Sequence, residues 1–200
     1  MAKKALEGVR VIEFGLYLAL PLATRMLAAL GAEVIKVERP GRGDDTRGWG
    51  PPWLRDRRGA ETAESAYFLA ANRGKKSVAL DLSHPEGQEL VRRLAARSDV
   101  VVENFKAGDL DRYGLGPREL AAANPGLIHC SITGFGQDGP YRERAGYDFL
   151  ILAMGGLMSV TGEPDGAPGG GPMKSGVAVA DVLTGMYAAT AILAALAHRQ

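Results

Sequence analysis

The stretch VRVIEFGLYLALPLATRMLAALGAEVIKVERP, residues 9–40, decides the fold class of this chain. Its first six residues, Val9–Phe14, are mostly β-branched or aromatic and predict a short strand. Four apolar residues then recur at helical spacing: Leu22, Met26, Leu27 and Leu30. Gly31 ends this helix, and Val34–Val37 predict a second strand. A strand, a helix and a strand joined by short loops predict a βαβ unit, which favours a parallel sheet.

The same alternation continues toward the carboxyl end of the chain. Helices are predicted at residues 65–72, 83–98 and 116–126, and strands at residues 76–82, 99–105 and 127–136. In the helix over residues 83–98 we expect Ser83 to be the N-cap, and Leu90 and Leu94 to face inward. The segment Gly41–Gly59 is polar and rich in glycine, and predicts a long surface loop. We therefore expect an α/β fold with an open, Rossmann-like parallel sheet and flanking helices.

Composition limits the classes of partner. The chain has 200 residues with 24 Lys and Arg against 23 Asp and Glu, a net charge of +1. This balance gives no reason to expect binding to nucleic acid or to a membrane. The single cysteine, Cys130, suits a reducing compartment, and the N-terminus shows no apolar run typical of a signal peptide. We expect a soluble, cytoplasmic protein.

The carboxyl-terminal quarter is unusually poor in charge. The stretch GVAVADVLTGMYAATAILAAL, residues 176–196, carries one charged residue, Asp181. Its helical part, Val182–Ala197, is shorter than the ~20 residues of a membrane span, so we expect a buried core helix. A helix that is apolar on all sides must be covered on all sides. We infer that the chain is the front part of a longer protein, or that it buries this end in a partner.

Asp181 itself admits two interpretations. Aspartate is a favoured helix N-cap, and a helix beginning at Val182 would make Asp181 a structural capping residue. Alternatively, the carboxylate is retained because chemistry needs it, since an unpaired acid is costly to bury.

Two ligand-binding motifs are absent, and no metal site is indicated. Glu38 ends the second strand, as in dinucleotide-binding folds, but GLYLALPL, residues 15–22, has one glycine where their fingerprint has three. The run GGGPMKSG, residues 169–176, lacks the glycine that precedes the lysine of a phosphate-binding loop. His84, His129 and His198 have no metal-ligand spacing, so no metal is predicted.

Seven ordered stretches together resemble the family III CoA-transferases, which include formyl-CoA transferase, carnitine CoA-transferase and the α-methylacyl-CoA racemases. They are LEGVRVIEF, LGAEVIKVERPGRGDDTRGWGPP, YFLAANRGKKSVALDL, VVENFKAGDLDRYGL, NPGLIHCSITGFGQDGPY, RAGYDFLILAMGGLMSVTGEPDG and GVAVADVLTGMYAATAILAAL. The sequence is most similar to the bacterial branch near the succinate–hydroxymethylglutarate CoA-transferases. The resemblance covers nearly the whole chain.

The resemblance implies a larger protein and a reaction. Family members are about twice this length and form interlocked homodimers, so residues 1–200 would be the N-terminal part of the large domain of a truncated chain. The expected activity is transfer of coenzyme A from an acyl-CoA to a small carboxylic acid, with acyl-CoA as substrate and no permanently bound cofactor. The nucleophile would be Asp181, through an aspartyl anhydride and an aspartyl-CoA thioester.

The resemblance also implies the residues that bind coenzyme A. They are Leu18, Ala19, Arg39, Leu80, Asp81, Leu82, Ser83, Asn104, Phe105, Lys106, Arg112, Arg144, Ala145, Gly146 and Tyr147. The basic members suit the phosphates of the ligand. Without the resemblance, Lys106 and Arg112 taken singly are better interpreted as solvated surface charges.

Three departures from the family pattern bear on function. Leu20 stands where the family has glycine, which places a side chain near the expected cofactor path. The glycine-rich stretch between Gly162 and Lys174 is longer than usual. Tyr147 replaces the acid/base histidine of the racemases, and a tyrosine with a pKa near 10 is a poor proton shuttle at neutral pH. Transfer is therefore favoured over racemisation, and a non-catalytic CoA-binding remnant remains a further alternative. Tyr147 itself would be either a core ring or a cofactor contact.

Overall fold

Parallel strands and the helices between them make up most of the chain in the computed structural model, which describes residues 3–199. The strands are β1 (Arg10–Phe14), β2 (Glu33–Glu38), β3 (Trp53–Arg55), β4 (Glu61–Ser65), β5 (Lys76–Ala79), β6 (Val100–Glu103) and β7 (Ile128–Ser131). The α-helices are α1 (Ala19–Ala29), α2 (Ala66–Asn72), α3 (Pro85–Ala95), α4 (Pro117–Ala123), α5 (Asp148–Met154) and α6 (Val179–Arg199). The ends of the predicted domain, residues 1, 2 and 200, lie outside the described part.

Five strands form one parallel sheet in the order β5-β2-β1-β6-β7. Strands are added first on one side of β1 and then on the other, which is the doubly wound arrangement. The predicted open α/β fold is confirmed. In such a sheet, ligands bind beyond the carboxyl ends of the strands where the order reverses, here between β1 and β6.

Alternate residues of the central strands supply two cores. Val11, Val34 and Val102 face α1 and α6, whereas Ile12 and Val101 face the side of the sheet on which α3 and α4 pack. Helices α1 and α6 also pack along each other, with Leu27 and Ile192 fully buried. The expected buried helix is therefore present, and it is covered on one side.

The opposite side of α6 exposes large apolar residues, including Leu183, Met186 and Tyr187. By length and composition this helix would also meet the criteria for a membrane span, although here it packs along α1 and β7. An unpaired apolar face of this kind needs a cover that residues 3–199 do not supply.

The segment Gly41–Gly59 departs from its prediction. Instead of one surface loop, it contains a 3₁₀ helix at Asp45–Gly48 and strand β3, which pairs antiparallel with β4. Asp44 and Thr46 are fully buried. The start of this loop is therefore buried, and ionic contacts beneath it hold it there.

Four ionisable side chains form a neutral cluster under this loop. Glu13 and Lys36 are register partners on β1 and β2, with 2.7 Å between Oε1 and Nζ. Lys75 Nζ lies 2.7 Å from Glu13 Oε2, and Asp44 Oδ2 lies 2.9 Å from Lys36 Nζ. All four side chains are at most 2% exposed. Two positive and two negative charges therefore neutralise each other where water is excluded.

Hydrogen bonds supplement the ion pairs of this buried cluster. Lys36 donates to the Gly15 carbonyl, Lys75 donates to the Pro21 carbonyl at 2.8 Å, and Thr24 donates to Glu13. Burial alone would raise the pKa of Glu13, but the charges of the two lysines outweigh it and hold that pKa below its ordinary value. Burial lowers the pKa of Lys75 to about 8. The cluster thereby fixes both ends of the β1–α1 turn.

One further expectation was wrong. The N-cap of α3 is His84, whose Nδ1 accepts from the Glu86 N–H, and Ser83 instead donates to Asp81. Helix α3 buries Gly87, Val91 and Ala95, while Leu90 is 43% exposed. Leu94, the other residue predicted to face inward, is half-buried and does pack against the core on this side of the sheet.

Neutralising Glu13 should destabilise the protein strongly. In Glu13→Gln, two buried lysines lose their shared anion, and breaking a buried pair costs about 3–5 kcal/mol. The matched control is Glu33→Gln, because Glu33 also bridges two cations, Arg10 and Lys76, each at 2.6 Å, but on the surface. That control should cost less than about 1 kcal/mol. Urea unfolding of the full-length variants measures both, and equal losses would contradict a central role for the buried cluster.

Candidate active site

A cavity of about 600 Å³ lies beyond the carboxyl ends of the parallel strands. Each of the five strands contributes the residues that follow it, in the segments 15–18, 39, 80–83, 104–106 and 132–134. The loop before α5 and the first turn of α6 complete the wall with Tyr147, Asp148, Ala180 and Asp181. The fold therefore places one large pocket at the position where open α/β sheets bind ligands.

The structure brings together all but one of the residues expected to form the site. Those lining the cavity are Leu18, Ala19, Arg39, Leu80, Asp81, Leu82, Ser83, Asn104, Phe105, Lys106, Arg144, Ala145, Gly146, Tyr147 and Asp181. Arg112 is outside the lining, where its side chain is 77% exposed and pairs with Asp109 at 3.2 Å. Its proposed contact with coenzyme A stays a prediction that this arrangement does not support.

Some of these residues shape the cavity through the backbone. The Asn104 side chain accepts from the Leu16 N–H at 3.2 Å and donates to the Leu16 carbonyl at 3.0 Å, which ties the end of β6 to the loop after β1. A Cβ on Gly146 would overlap the backbone of Gly134. Glycine at both positions lets the loop before α5 lie directly against the segment after β7.

Basic side chains line the cavity, as a polyanionic ligand requires. Arg39 pairs with Asp45 at 3.2 Å and remains half exposed. The Arg144 guanidinium lies 4.8 Å from the ring centroid of Tyr141. Lys106 makes no ion pair with residues 3–199, and Arg142, which the sequence analysis missed, also reaches the cavity. Both oxygens of the Glu38 carboxylate already accept hydrogen bonds, which Arg47 and Ser77 donate.

An aromatic group beside the cavity was also missed. Tyr17 has φ of 70°, in the left-handed region that non-glycine residues rarely adopt. Its ring stacks on Trp49 at 5.6 Å and meets Tyr147 edge-on at 6.0 Å. Burial, reinforced by Tyr147 and Asp45, raises the pKa of Tyr17 to about 12. The phenol therefore stays protonated, and it donates to Asp45 at 3.2 Å. Nothing in the sequence pattern marks a tyrosine at this turn as unusual.

Asp181 lies inside the first turn of α6, and the structure corrects its interpretation as an N-cap. The helix begins at Val179, so Asp181 is the third helical residue and not the residue before the helix. The N–H groups of Ala180 and Asp181 instead donate to the Asp148 carboxylate, at 2.9 and 3.3 Å. The Asp181 carboxylate accepts no hydrogen bond from residues 3–199 and borders the cavity.

Burial raises the pKa of Asp181 to about 6, and the nearby charge of Asp148 adds to the rise. Tyr67, which contacts Trp49 at 5.2 Å between ring centroids, has its own pKa raised by burial and by the charge of Asp181. At neutral pH the cavity thus presents an ionised carboxylate that accepts no hydrogen bond from the described part of the chain. Such a group is a candidate nucleophile or base.

Comparison with known proteins decides the family. The profile described as CoA-transferase family III matches residues 6–200. This chain belongs to CoA-transferase family III.

Individual relatives agree with this membership. A succinate–glutarate CoA-transferase of Agrobacterium fabrum is 56% identical over 98% of this chain and 48% of its own length. A human succinyl-CoA:glutarate CoA-transferase is 47% identical over 98% of this chain and 42% of its own length. A crystal structure of a CAIB/BAIF family protein from Brucella suis matches with a TM-score of 0.91 and 54% identity, over 99% of this chain and 50% of that one. The chain spans about half the length of the relatives it matches.

The structure explains two of the three departures from the family pattern, those at Leu20 and Tyr147. Leu20 is fully buried in the core beneath α1 and does not line the cavity, which corrects the expectation that it would hinder the ligand. Its side chain occupies the space that a Cβ on Gly15 would need. Tyr147 is 61% exposed at the mouth of the cavity, so its interpretation as a core ring is wrong.

Asp181 owes its place to a close crossing of two helices. A Cβ on Gly185, one turn beyond Asp181, would lie 2.6 Å from the Ala19 carbonyl oxygen on α1. The missing side chain therefore allows the start of α1 to lie directly against α6, one turn beyond Asp181.

Gly185→Ala should separate these helices and displace Asp181. We expect a lower melting temperature and a transfer rate reduced at least about tenfold, because small misplacements of reacting groups are costly. The control is Gly176→Ala, just before the helix, where an added Cβ meets nothing within 4 Å. Melting curves and CoA-transfer assays of the full-length variants provide the comparison. If Gly185→Ala behaves like the control, the crossing does not position Asp181.

Proposed function

We propose that the full-length protein transfers coenzyme A from an acyl-CoA thioester to a carboxylic acid, with Asp181 as the nucleophile. The observation that carries this proposal is the Asp181 carboxylate, free of hydrogen bonds from residues 3–199, at the border of a 600 Å³ cavity. The segments expected to bind coenzyme A line the same cavity. A carboxylate is a weak nucleophile in water, and partial burial removes some of the hydration that weakens it.

The chemistry proceeds through covalent intermediates on one residue. An Asp181 oxygen attacks the thioester carbonyl carbon, the C–S bond breaks, and a mixed anhydride and the CoA thiolate form. The thiolate then attacks the aspartyl carbonyl carbon and expels the donor acid as its carboxylate. This leaves CoA joined to Asp181 as a thioester. The acceptor carboxylate repeats both steps in reverse, which gives the new acyl-CoA and restores Asp181. No net proton transfer is needed.

The wall of the cavity suits the rest of the ligand. Coenzyme A carries phosphates, and Arg39, Lys106 and Arg144 are basic groups at the cavity with exposed or unpaired charge. Apolar residues such as Leu80 and Phe105 supply contact area for the adenine and the pantetheine arm. We therefore propose that the predicted binding residues at the cavity form one continuous site for coenzyme A.

The names of the relatives suggest the acids. The Agrobacterium and human proteins are named for succinate or succinyl-CoA together with glutarate. We propose that the donor and acceptor are small dicarboxylic acids of this kind.

The exposed face of α6 suggests the assembly. Leu183, Met186 and Tyr187 lie on the same helix as Asp181, so whatever covers them also lies near the cavity. We propose that the remaining half of the chain and a second copy in a homodimer cover this face.

Sedimentation of the full-length protein should give a dimer, and a stable monomer would contradict this assembly.

Asp181→Asn in the full-length protein should abolish transfer while the protein still folds. Asparagine has nearly the same shape but cannot form an anhydride, so the rate should fall by about 10³-fold or more. The melting temperature at pH 7 should not fall, because burial disfavours the ionised carboxylate that the variant removes. Asp165→Asn, an exposed acid in the glycine-rich loop, is the matched control and should keep full activity.

The same assay separates the alternatives. An Asp181→Asn variant that keeps most of its transfer rate would overturn the proposed mechanism. Wild-type protein that binds CoA without turnover would be a non-catalytic remnant. Exchange of the α-proton of a 2-methylacyl-CoA into heavy water, without transfer, would indicate a racemase.

A further inference from the structure

Asp148 accepts hydrogen bonds from the backbone of the helical turn that carries Asp181. It is the first residue of α5 and lines the cavity. Its Oδ1 accepts hydrogen bonds from the N–H groups of Ala180 and Asp181. These N–H groups belong to the first turn of α6, where no preceding helical carbonyl is present to accept them. A side chain from another helix thus performs the capping that one of the two interpretations assigned to Asp181.

This contact has a positional consequence. Because one oxygen accepts two successive backbone N–H groups, it fixes the first turn of α6 relative to the start of α5. Asp181 is itself one of the two donors, so its main chain is held directly while its side chain remains free at the cavity. Helices α5 and α6 also pack against each other.

The contact also has an electrostatic consequence. The elements packed against α6 carry few titratable groups: Asp148 on α5, Arg25 on α1, and His129 and Cys130 on β7. Of these, Asp148 is the one whose charge acts on Asp181, and Tyr67 of α2 feels the charge of Asp181 in turn. Burial is the larger cause of the raised pKa of Asp181, which is about 6, and the charge of Asp148 is the second cause. The N-terminal end of a helix would act in the opposite direction.

We propose that Asp148 is a positioning residue, whose carboxylate holds the backbone of Asp181 through two hydrogen bonds and sets a negative charge against its side chain. A more basic carboxylate is a stronger nucleophile, so the charge increases the reactivity of Asp181 once it is ionised. The same charge extends the protonated, unreactive form to higher pH. The effect of Asp148 on the transfer rate rests on the proposed role of Asp181. Its effects on the position and pKa of Asp181 do not depend on that role.

Two substitutions in the full-length protein separate the two effects. Asp148→Asn keeps a carbonyl oxygen that can accept both N–H groups but removes the charge. Asp148→Ala removes the acceptor as well. Asp148→Ser, a neutral residue that also caps helices, replaces the Asn variant if that one does not fold. Asp165→Asn again controls for the loss of one carboxylate at the surface.

The expected results differ between the variants. In Asp148→Asn, the acid limb of the pH–rate profile should move to lower pH by about 0.5 unit or more, because a like charge near Asp181 is gone. Its melting temperature should stay close to that of wild type. In Asp148→Ala, the melting temperature should fall and transfer should be slower at every pH. Asp165→Asn should leave both measurements unchanged.

A titration without turnover keeps this test independent of the mechanism. Carbon-13 NMR of aspartate-labelled protein follows the Asp181 carboxyl, with Asp181→Asn used to assign its signal. The signal should titrate at lower pH in Asp148→Asn than in wild type, whether or not Asp181 is the nucleophile. Identical titrations and identical pH–rate profiles would overturn the electrostatic part, and an Asp148→Ala variant equal to wild type in melting and rate would overturn the positioning part.

Discussion

Glu13 holds together the part of this molecule on which the site depends. It occupies an inward position on the central strand, where the neighbouring inward residue Val11 is apolar, and it joins Lys36 and Lys75 at 2.7 Å each. Burying charge is costly, and removing one partner leaves an uncompensated ion. The arrangement is therefore stable only if the strand partner, the loop residue Asp44 and the lysine before β5 are all in place. Three separate segments of chain are fixed by one electrostatic requirement.

The geometry of the cavity follows from this requirement step by step. Lys36 and Lys75 bond the carbonyls of Gly15 and Pro21, which sets the turn from β1 into α1. The start of α1 then meets α6 at Gly185, and α6 presents Asp181 from its first turn. Two influences oppose each other at that carboxyl, since the helix end favours the anion and burial disfavours it. The raised pKa of Asp181 indicates that burial, aided by Asp148, prevails.

The local sequence pattern was sufficient to predict the sheet, but it could not predict contacts between residues that are far apart in the chain. The βαβ unit of residues 9–40 predicts parallel strands because its periodicity is local, and similarity to the family identified Asp181 and the segments at the strand ends. Asp44 looked like a loop residue, because its partner Lys36 is on a strand whose register the sequence does not state. Leu20 looked obstructive until the structure placed it in the core against Gly15. Asp148 was missed as a cap because it lies 33 residues from Asp181 in the chain.

Mass spectrometry can show whether Asp181 carries the transferred group. Full-length protein is incubated with acyl-CoA and no acceptor acid, quenched and digested. The peptide containing Asp181 should carry CoA as a thioester, or a hydroxamate when hydroxylamine is present. An unmodified Asp181 in protein that is transferring CoA, or a label on a different residue, would contradict it.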